Sequence, residues 1–231
     1  PRILKISLGL SCNYACEYCS QRFVARNVET NPDDISGFLE SLDTWVLNPP
    51  DAIEFWGGEP LVYIKTLRPL AQALREKFPA ARFSVITNGS LLNREINQWL
   101  DDLGFTVSIS HDGPGQHVRG PDPLNDPQSR AAILELYRTL APKGRFSFNA
   151  MLHRENQSRA AIQAFFVDLT GDPDVLIGEG GFVDAYDAGG ISQSLRPEEF
   201  HSFRRQAFHD IRHGKAGRIS SVRDRVMSFV N

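Results

Sequence analysis

The sequence predicts an α/β protein in which six strand–helix units lay down a parallel sheet. Two observations carry that expectation. Short runs rich in β-branched and aromatic residues alternate with longer amphipathic ones, the order that repeated βα units produce. The glycine-rich and polar stretches at 9–20, 57–60, 87–89, 111–119 and 178–183 fall at strand C-terminal ends, so their loops share one edge of the sheet. Six units are two short of a closed eight-stranded barrel, and a chain of 231 residues is long enough for one full core.

The first strand is expected over Ile3–Gly9, and a cysteine-bearing loop follows it. Asn31-Pro32-Asp33-Asp34 then caps a helix running to about Leu47: proline suits a first helical turn, acids there complement the helix dipole, and Asn48-Pro49-Pro50 ends it. Strand two is Ala52–Trp56, and its helix runs from about Tyr63 to Lys77. Strand three, Arg82–Ile86, precedes a helix over Asn93–Leu103 with Ile96, Trp99, Leu100 and Leu103 as its core stripe. Strand four, Phe105–Ser110, opens into a long irregular loop from His111 to Asp126, a kind of loop that compact domains usually keep for function. A helix over Pro127–Leu140 follows, with Ala131, Leu134, Tyr137 and Arg138 near one face. Strand five (Arg145–Leu152), a helix over Ser158–Leu169, a glycine-bearing strand six (Val175–Val183) and a helix over Pro197–His213 complete the pattern. The glycines of strand six predict a bulge or a close backbone approach, and the register of Asn149 is left open. Residues 1–213 read as one core domain and 214–231 as a tail, the start of an extension cut short. Pro1 stands where an intact chain would carry methionine, as in a processed or truncated piece.

Composition narrows the classes. Twenty-five basic and twenty-eight acidic side chains give a net charge of −3, which supplies no field for nonspecific binding to nucleic acid or an anionic membrane. No apolar run reaches the roughly 20 residues a membrane helix needs, and no signal-peptide pattern opens the chain. A cytoplasmic setting, where thiols stay reduced, is the expectation.

All three cysteines lie within eight positions as CxxxCxxC: Cys12, Cys16 and Cys19, with Tyr18 just before the last. Three thiols cannot pair off, but thiolates are the soft ligands that iron–sulfur clusters and zinc select. A closed zinc site would need a fourth ligand from far away, such as a histidine. A four-iron cluster on three cysteines would keep one iron open to a small molecule. A zinc-binding or purely structural α/β domain stays alive as the alternative.

The cysteine motif resembles the signature of the radical S-adenosylmethionine (radical SAM) enzymes. That resemblance implies a partial, open (β/α)6 barrel, a [4Fe-4S] cluster on Cys12, Cys16 and Cys19, and S-adenosylmethionine chelating the fourth iron through its amino and carboxylate groups. It also implies reductive cleavage of the cofactor to a 5′-deoxyadenosyl radical that abstracts a substrate hydrogen, with an electron donor such as flavodoxin or ferredoxin. Further segments match the family. Gly57-Gly58-Glu59-Pro60 resembles its GGEP motif, which lies against the methionyl ammonium; a tight strand-to-helix turn is the plainer reading. Thr87-Asn88-Gly89 resembles the TNG of the peptide- and protein-modifying branch, the one that includes sulfatase-maturing enzymes, and Asn-Gly is also a common turn. Val107-Ser108-Ile109-Ser110-His111-Asp112-Gly113-Pro114 resembles that branch's S-x-D-G-P segment, which implies cofactor contacts from Ser110 and, through a carboxylate-matching fork, Arg119. Arg119 comes a few residues earlier than the pattern places it, and His111 stands where an aliphatic residue is usual. His111 and His117 are either solvated loop histidines or proton carriers. The stretch Gly178–Val183 is similar to the region that meets adenine, or else is a bulged edge strand; Asp184 and Asp187 follow it.

The branch implies a peptide or small-protein substrate, with a small molecule or RNA as alternatives. Its members usually carry C-terminal cysteines for auxiliary clusters; this chain either ends before such an extension or works with one cluster. His201, His209 and His213 share their helix with Arg204, Arg205 and Arg212 and read as a solvated basic face. No residue is assigned as the general base.

Overall fold

A computed structural model describes residues 2–24, 29–183 and 188–213. Six strands, β1 (Ile3–Ser7), β2 (Ala52–Trp56), β3 (Arg82–Thr87), β4 (Phe105–Ser110), β5 (Phe146–Leu152) and β6 (Ile177–Phe182), make a parallel sheet in the order β1-β2-β3-β4-β5-β6. Sheet order follows chain order, each strand lying beside the next along the chain, and among the described residues no pairing closes the sheet from β6 back to β1. This is the partial, open arrangement that the sequence predicts. The helices are α1 (Ile35–Trp45), α2 (Ile64–Lys77), α3 (Arg94–Asp102), α4 (Pro127–Leu140), α5 (Arg159–Thr170), α6 (Ala188–Gln193) and α7 (Pro197–Arg212). Among the described residues no helix is long and apolar enough to cross a membrane.

Local chemistry explains the boundaries. Asn31 caps a 3-10 turn at Pro32–Asp34 rather than α1 itself, which starts at Ile35 and ends at Trp45, short of Leu47. Asn93, Asp126 and Ser158 cap α3, α4 and α5 by accepting backbone N–H groups three residues on. The buried face of α4 is Ala132, Ile133, Leu136, Tyr137 and Leu140, which corrects the expected face: Ala131 and Arg138 are exposed. On α3, Asn97 joins Ile96 and Leu100 in the buried set, while Trp99 and Leu103 are only half-buried. The long loop after β4 is also more ordered than expected, because Gly113–Val118 forms a 3-10 helix. The short helix α6 is absent from the sequence expectation; Ala-Gly-Gly-Ile-Ser-Gln is too short to carry a long apolar stripe.

The chain divides into two compact units. The first holds residues 1–14, 21–109 and 123–146. Its core is the alternate-residue face of β1–β4: Leu4, Ile6, Ile53, Phe55, Phe83, Val85, Phe105, Val107 and Ile109. Phe55, Phe83 and Phe105 meet with centroids 5.4–5.6 Å apart. The opposite face carries small or polar residues such as Ser84, Thr106 and Ser108.

The second unit holds residues 15–20, 110–122 and 147 onward. Phe148 of β5 stacks on Phe166 of α5 at 4.3 Å, and Phe182 of β6 meets Phe203 of α7 at 5.1 Å. The β5–β6 register skips Gly180, since Ala150 pairs with Glu179 and Met151 with Gly181: the glycines do mark a bulge. Asn149 lies on the half-buried face with Ser147 and Met151, and its amide oxygen fills the space where a side chain at Gly178 would go. His201, His209 and His213 are exposed on or just after α7, as a solvated face requires. Asp184, Asp187 and the 214–231 tail lie outside the described residues.

Candidate active site

In the first unit the chain leaving β1 runs beside the turn leaving β2. Gly58 N–H donates to Gly9 C=O at 3.0 Å and Glu59 N–H to Ser11 C=O at 3.0 Å, so two backbones touch with no side chain between them. A Cβ on Gly57 would lie 2.8 Å from the Gly9 carbonyl oxygen, and one on Gly58 would lie 2.5 Å from that of Leu10. The Gly-Gly pair is therefore a requirement of the chain that leads to Cys12. Gly58→Ala is expected to destabilise the protein by about 2–3 kcal/mol, because fixed backbone and not a flexible side chain opposes the methyl group. Urea unfolding of the variant checks this.

Glu59 is 1% exposed and caps the 3-10 turn Pro60–Tyr63. Its Oε1 accepts from Leu61 N–H at 3.0 Å and from the Thr87 hydroxyl at 2.6 Å; its Oε2 accepts from Asn88 N–H at 2.7 Å. The acid thus ties the end of β2 to the end of β3. Asn88 in turn reaches the cysteine loop: its Nδ2 donates to Asn13 Oδ1 at 2.9 Å, and Asn13 Nδ2 donates to the Ser90 hydroxyl at 2.8 Å. Tyr63 completes this side. Its hydroxyl donates to Glu29 and accepts from Ser11 N–H at 2.6 Å, while Leu10 N–H donates to Glu29 at 3.3 Å. Burial raises the Tyr63 pKa, with the Glu29 contact acting in the same direction, so the phenol keeps its proton.

The second unit holds the other half of the motif. Cys19 N–H donates to Cys16 C=O at 3.1 Å, closing a turn, and Glu17 N–H donates to Val118 C=O at 3.0 Å. Tyr18, half-buried, donates its hydroxyl proton to Asp112 and accepts from Arg119 Nη1 at 3.0 Å. Arg119 is 12% exposed, and Nη1 lies 3.6 Å from Asp112 Oδ1. Its Nε is buried with no hydrogen-bond partner among the described residues. Burial opposes the arginine's charge, but Tyr18, Asp112 and Cys16 outweigh it and raise its pKa. Burial likewise drives the Tyr18 hydroxyl well above the ordinary phenol range.

The predicted site residues thus fall into two groups. Gly57, Gly58, Glu59, Pro60 and Asn88 are brought together in the first unit, and Tyr18 and Arg119 in the second. Ser110, half-buried at the end of β4, and Val183, 5% exposed with its N–H on Leu152 C=O at 3.1 Å, belong to the second unit but make no contact with that pair among those described. Cys12 is exposed, Cys16 and Cys19 are half-buried, and none is in a disulfide. No group of three or more Cys, His, Asp or Glu side chains among the described residues is gathered as a metal site. The donor type fits an iron–sulfur cluster: three soft thiols within eight positions of the sequence.

His111 is not the solvated loop histidine that the sequence offered as one reading. It is fully buried, its Nδ1 accepts from Gly113 N–H at 2.9 Å, and its Nε2 lies 3.0 Å from Asp122, so it braces the loop. His117 is the exposed one, 2.7 Å from Glu155. The sequence reading missed Asp112, His153 and Asn156. Asp112 lies inside the S-x-D-G-P-like segment, and His153–Asn156 begins a polar run at a strand C-terminal end, which is the signal the sequence offers for them.

A parallel open sheet with a three-cysteine loop after its first strand and a GGEP turn after its second defines a class. The model of the Radical SAM superfamily matches residues 6–164, and the chain belongs to that family of enzymes. Among curated relatives it is similar to the radical SAM cyclopropyl synthase TigE of Paramaledivibacter caminithermalis, 24% identical over 67% of this chain and 36% of that protein. It is also similar to the cysteine-type anaerobic sulfatase-maturating enzyme of Clostridium perfringens strain 13, 31% identical over 45% of this chain and 30% of that protein. The chain thus spans about a third of the length of these relatives. Among solved structures, native anSMEcpe with bound AdoMet and Cp18Cys peptide superposes over 95% of this chain and 63% of its own, with a TM-score of 0.69 and 23% identity; that likeness is one of fold.

Proposed function

We propose that the chain, with residues 1–213 as its core domain, works as a radical SAM enzyme on a peptide or protein substrate. Cys12, Cys16 and Cys19 would hold a [4Fe-4S] cluster. Tyr18, Gly57, Gly58, Glu59, Pro60, Asn88, Ser110, Arg119 and Val183 would contact S-adenosylmethionine. When bound, these groups supply a one-electron reductive cleavage and a 5′-deoxyadenosyl radical able to abstract a hydrogen atom, with a flavodoxin- or ferredoxin-type protein as electron donor.

The observation that carries the reading is Arg119. A buried guanidinium with an unpaired Nε is costly unless a ligand completes it. Tyr18 and Asp112 hold the Nη1 arm, which leaves the Nε–Nη2 edge, the fork that fits a carboxylate with two parallel hydrogen bonds. The cofactor's methionyl carboxylate is such a group. The GGEP segment contributes differently from its acid's apparent invitation: both carboxylate oxygens of Glu59 are engaged, so an ammonium would meet this turn through backbone carbonyls. The peptide assignment draws on the names of the sulfatase-maturating relative and of the solved neighbour with a peptide bound.

Anaerobic incubation of the reconstituted protein with dithionite and S-adenosylmethionine is expected to release 5′-deoxyadenosine. Arg119→Gln keeps the size but loses the fork, and is expected to weaken cofactor binding about 10- to 100-fold, the effect of losing a charge-assisted bidentate pair. Equilibrium binding of S-adenosylmethionine reads it. An unchanged Kd would remove Arg119 from the site.

A further inference from the structure

Asp112 is fully buried, and its carboxylate and backbone carbonyl meet partners from three stretches of the second unit. Oδ2 accepts the Tyr18 hydroxyl proton. Oδ1 accepts Met151 N–H at 2.9 Å and lies 3.6 Å from Arg119 Nη1. Its backbone carbonyl accepts from Asn156 Nδ2 at 2.8 Å. His153, also fully buried, stands 3.5 Å from Oδ2, with Gly115 so close that a Cβ there would lie 2.6 Å from the ring nitrogen. A carboxylate buried this deeply persists only where charge and hydrogen bonds compensate it, and here Arg119, Tyr18 and Met151 N–H do so.

The position of Tyr18 gives this arrangement its meaning. It lies two residues after Cys16 and one before Cys19, and its hydroxyl is where Asp112 accepts and Arg119 donates. We infer that Asp112 is a positioning residue for the cysteine loop: through Tyr18 it fixes the Cys16–Cys19 segment, and through the same hydroxyl it sets the Arg119 side chain. Its functional meaning rests on the cofactor reading above, but the positional claim stands on these contacts alone. Glu17 adds a second hold on the segment, accepting from the Ser192 hydroxyl at 2.5 Å and from Gln193 Nε2 at 3.2 Å. Removal of the Asp112 contact is therefore expected to loosen the loop without releasing it.

The test uses the full chain before and after cluster reconstitution, with Asp112→Asn, Tyr18→Phe and the double variant. Before reconstitution, iodoacetamide labelling of each cysteine is followed by mass spectrometry. Each single change is expected to speed alkylation of Cys16 and Cys19 about threefold or more relative to Cys12. Tyr18→Phe keeps every charge, so acceleration there reports position and not thiol chemistry. The double variant is expected to go no further than Asp112→Asn, since both break one network. After reconstitution, the same variants are expected to bind S-adenosylmethionine about tenfold more weakly. Unchanged alkylation ratios in both single variants overturn the inference, as does a double variant whose effects simply multiply. A wild-type chain that takes up no cluster defeats the functional reading instead, and the alkylation ratios still decide this one. If Asp112→Asn unfolds the protein, all three cysteines label alike, and Tyr18→Phe, which leaves the carboxylate paired with Arg119, carries the decision.

Discussion

Glu59→Ala is expected to lose about 3–5 kcal/mol of folding stability, a large part of the roughly 5–15 kcal/mol a domain holds. The residue is buried, and so are the groups it satisfies: Leu61 N–H, the Thr87 hydroxyl and Asn88 N–H. Alanine leaves all three without their acceptor and opens a cavity between the ends of β2 and β3. Glu59→Gln is expected to cost less, about 2 kcal/mol, because Oε1 can keep two of its bonds while an amide in place of Oε2 faces Asn88 N–H. Urea unfolding separates the two. A loss under about 1 kcal/mol for alanine would show that the carboxylate is not what joins the two turns. In that event a cofactor-facing role for the acid would regain ground.

The second large effect is on chemistry and not on folding. Replacing Cys12, Cys16 and Cys19 together by alanine is expected to abolish iron uptake while changing stability by less than about 1 kcal/mol, since none is fully buried or cross-linked. The loop keeps its other holds: Asn13 on Asn88 and Ser90, Glu17 N–H on Val118, Tyr18 on Asp112. Iron and sulfide analysis after anaerobic reconstitution, beside a thermal melt, measures both. A variant that still binds iron stoichiometrically would place the cluster elsewhere. A wild-type protein that prefers one zinc would favour the structural-domain alternative.

The fold was legible because hydrophobic period and turn chemistry agree along the chain. Strand two, strand four and the helix at Pro127–Leu140 have the predicted limits, and each is bounded by glycine, proline or a capping acid. What escaped has physical reasons. The helix at Ala188–Gln193 is too short and too glycine-rich for periodicity to register. The α4 face was misjudged by one position because Ala131 and Ala132, or Ile133 and Leu134, are equivalent to a hydropathy reading, and only packing chooses between them.

The site was legible where its residues are close in sequence. The cysteines, GGEP and TNG are short motifs, and Asn13, Glu59 and Asn88 duly join. It was not legible where long-range burial sets the role. Nothing local distinguishes Asp112, which is fully enclosed, from an exposed loop acid, and His111 looks solvated until Phe165 and Phe166 close on it. Glu59 is legible from its motif, while the three donors that meet its carboxylate come from neighbours that the motif does not specify.

The proposed function requires a cluster on the cysteine loop that binds S-adenosylmethionine. The most direct test is the EPR spectrum of the anaerobically reconstituted, dithionite-reduced protein, recorded with and without S-adenosylmethionine. A reduced [4Fe-4S] signal whose g-values shift when the cofactor is added is expected, with no signal in the triple-cysteine variant. A cluster signal that ignores the cofactor, or a protein with no paramagnetic iron–sulfur centre, would contradict it.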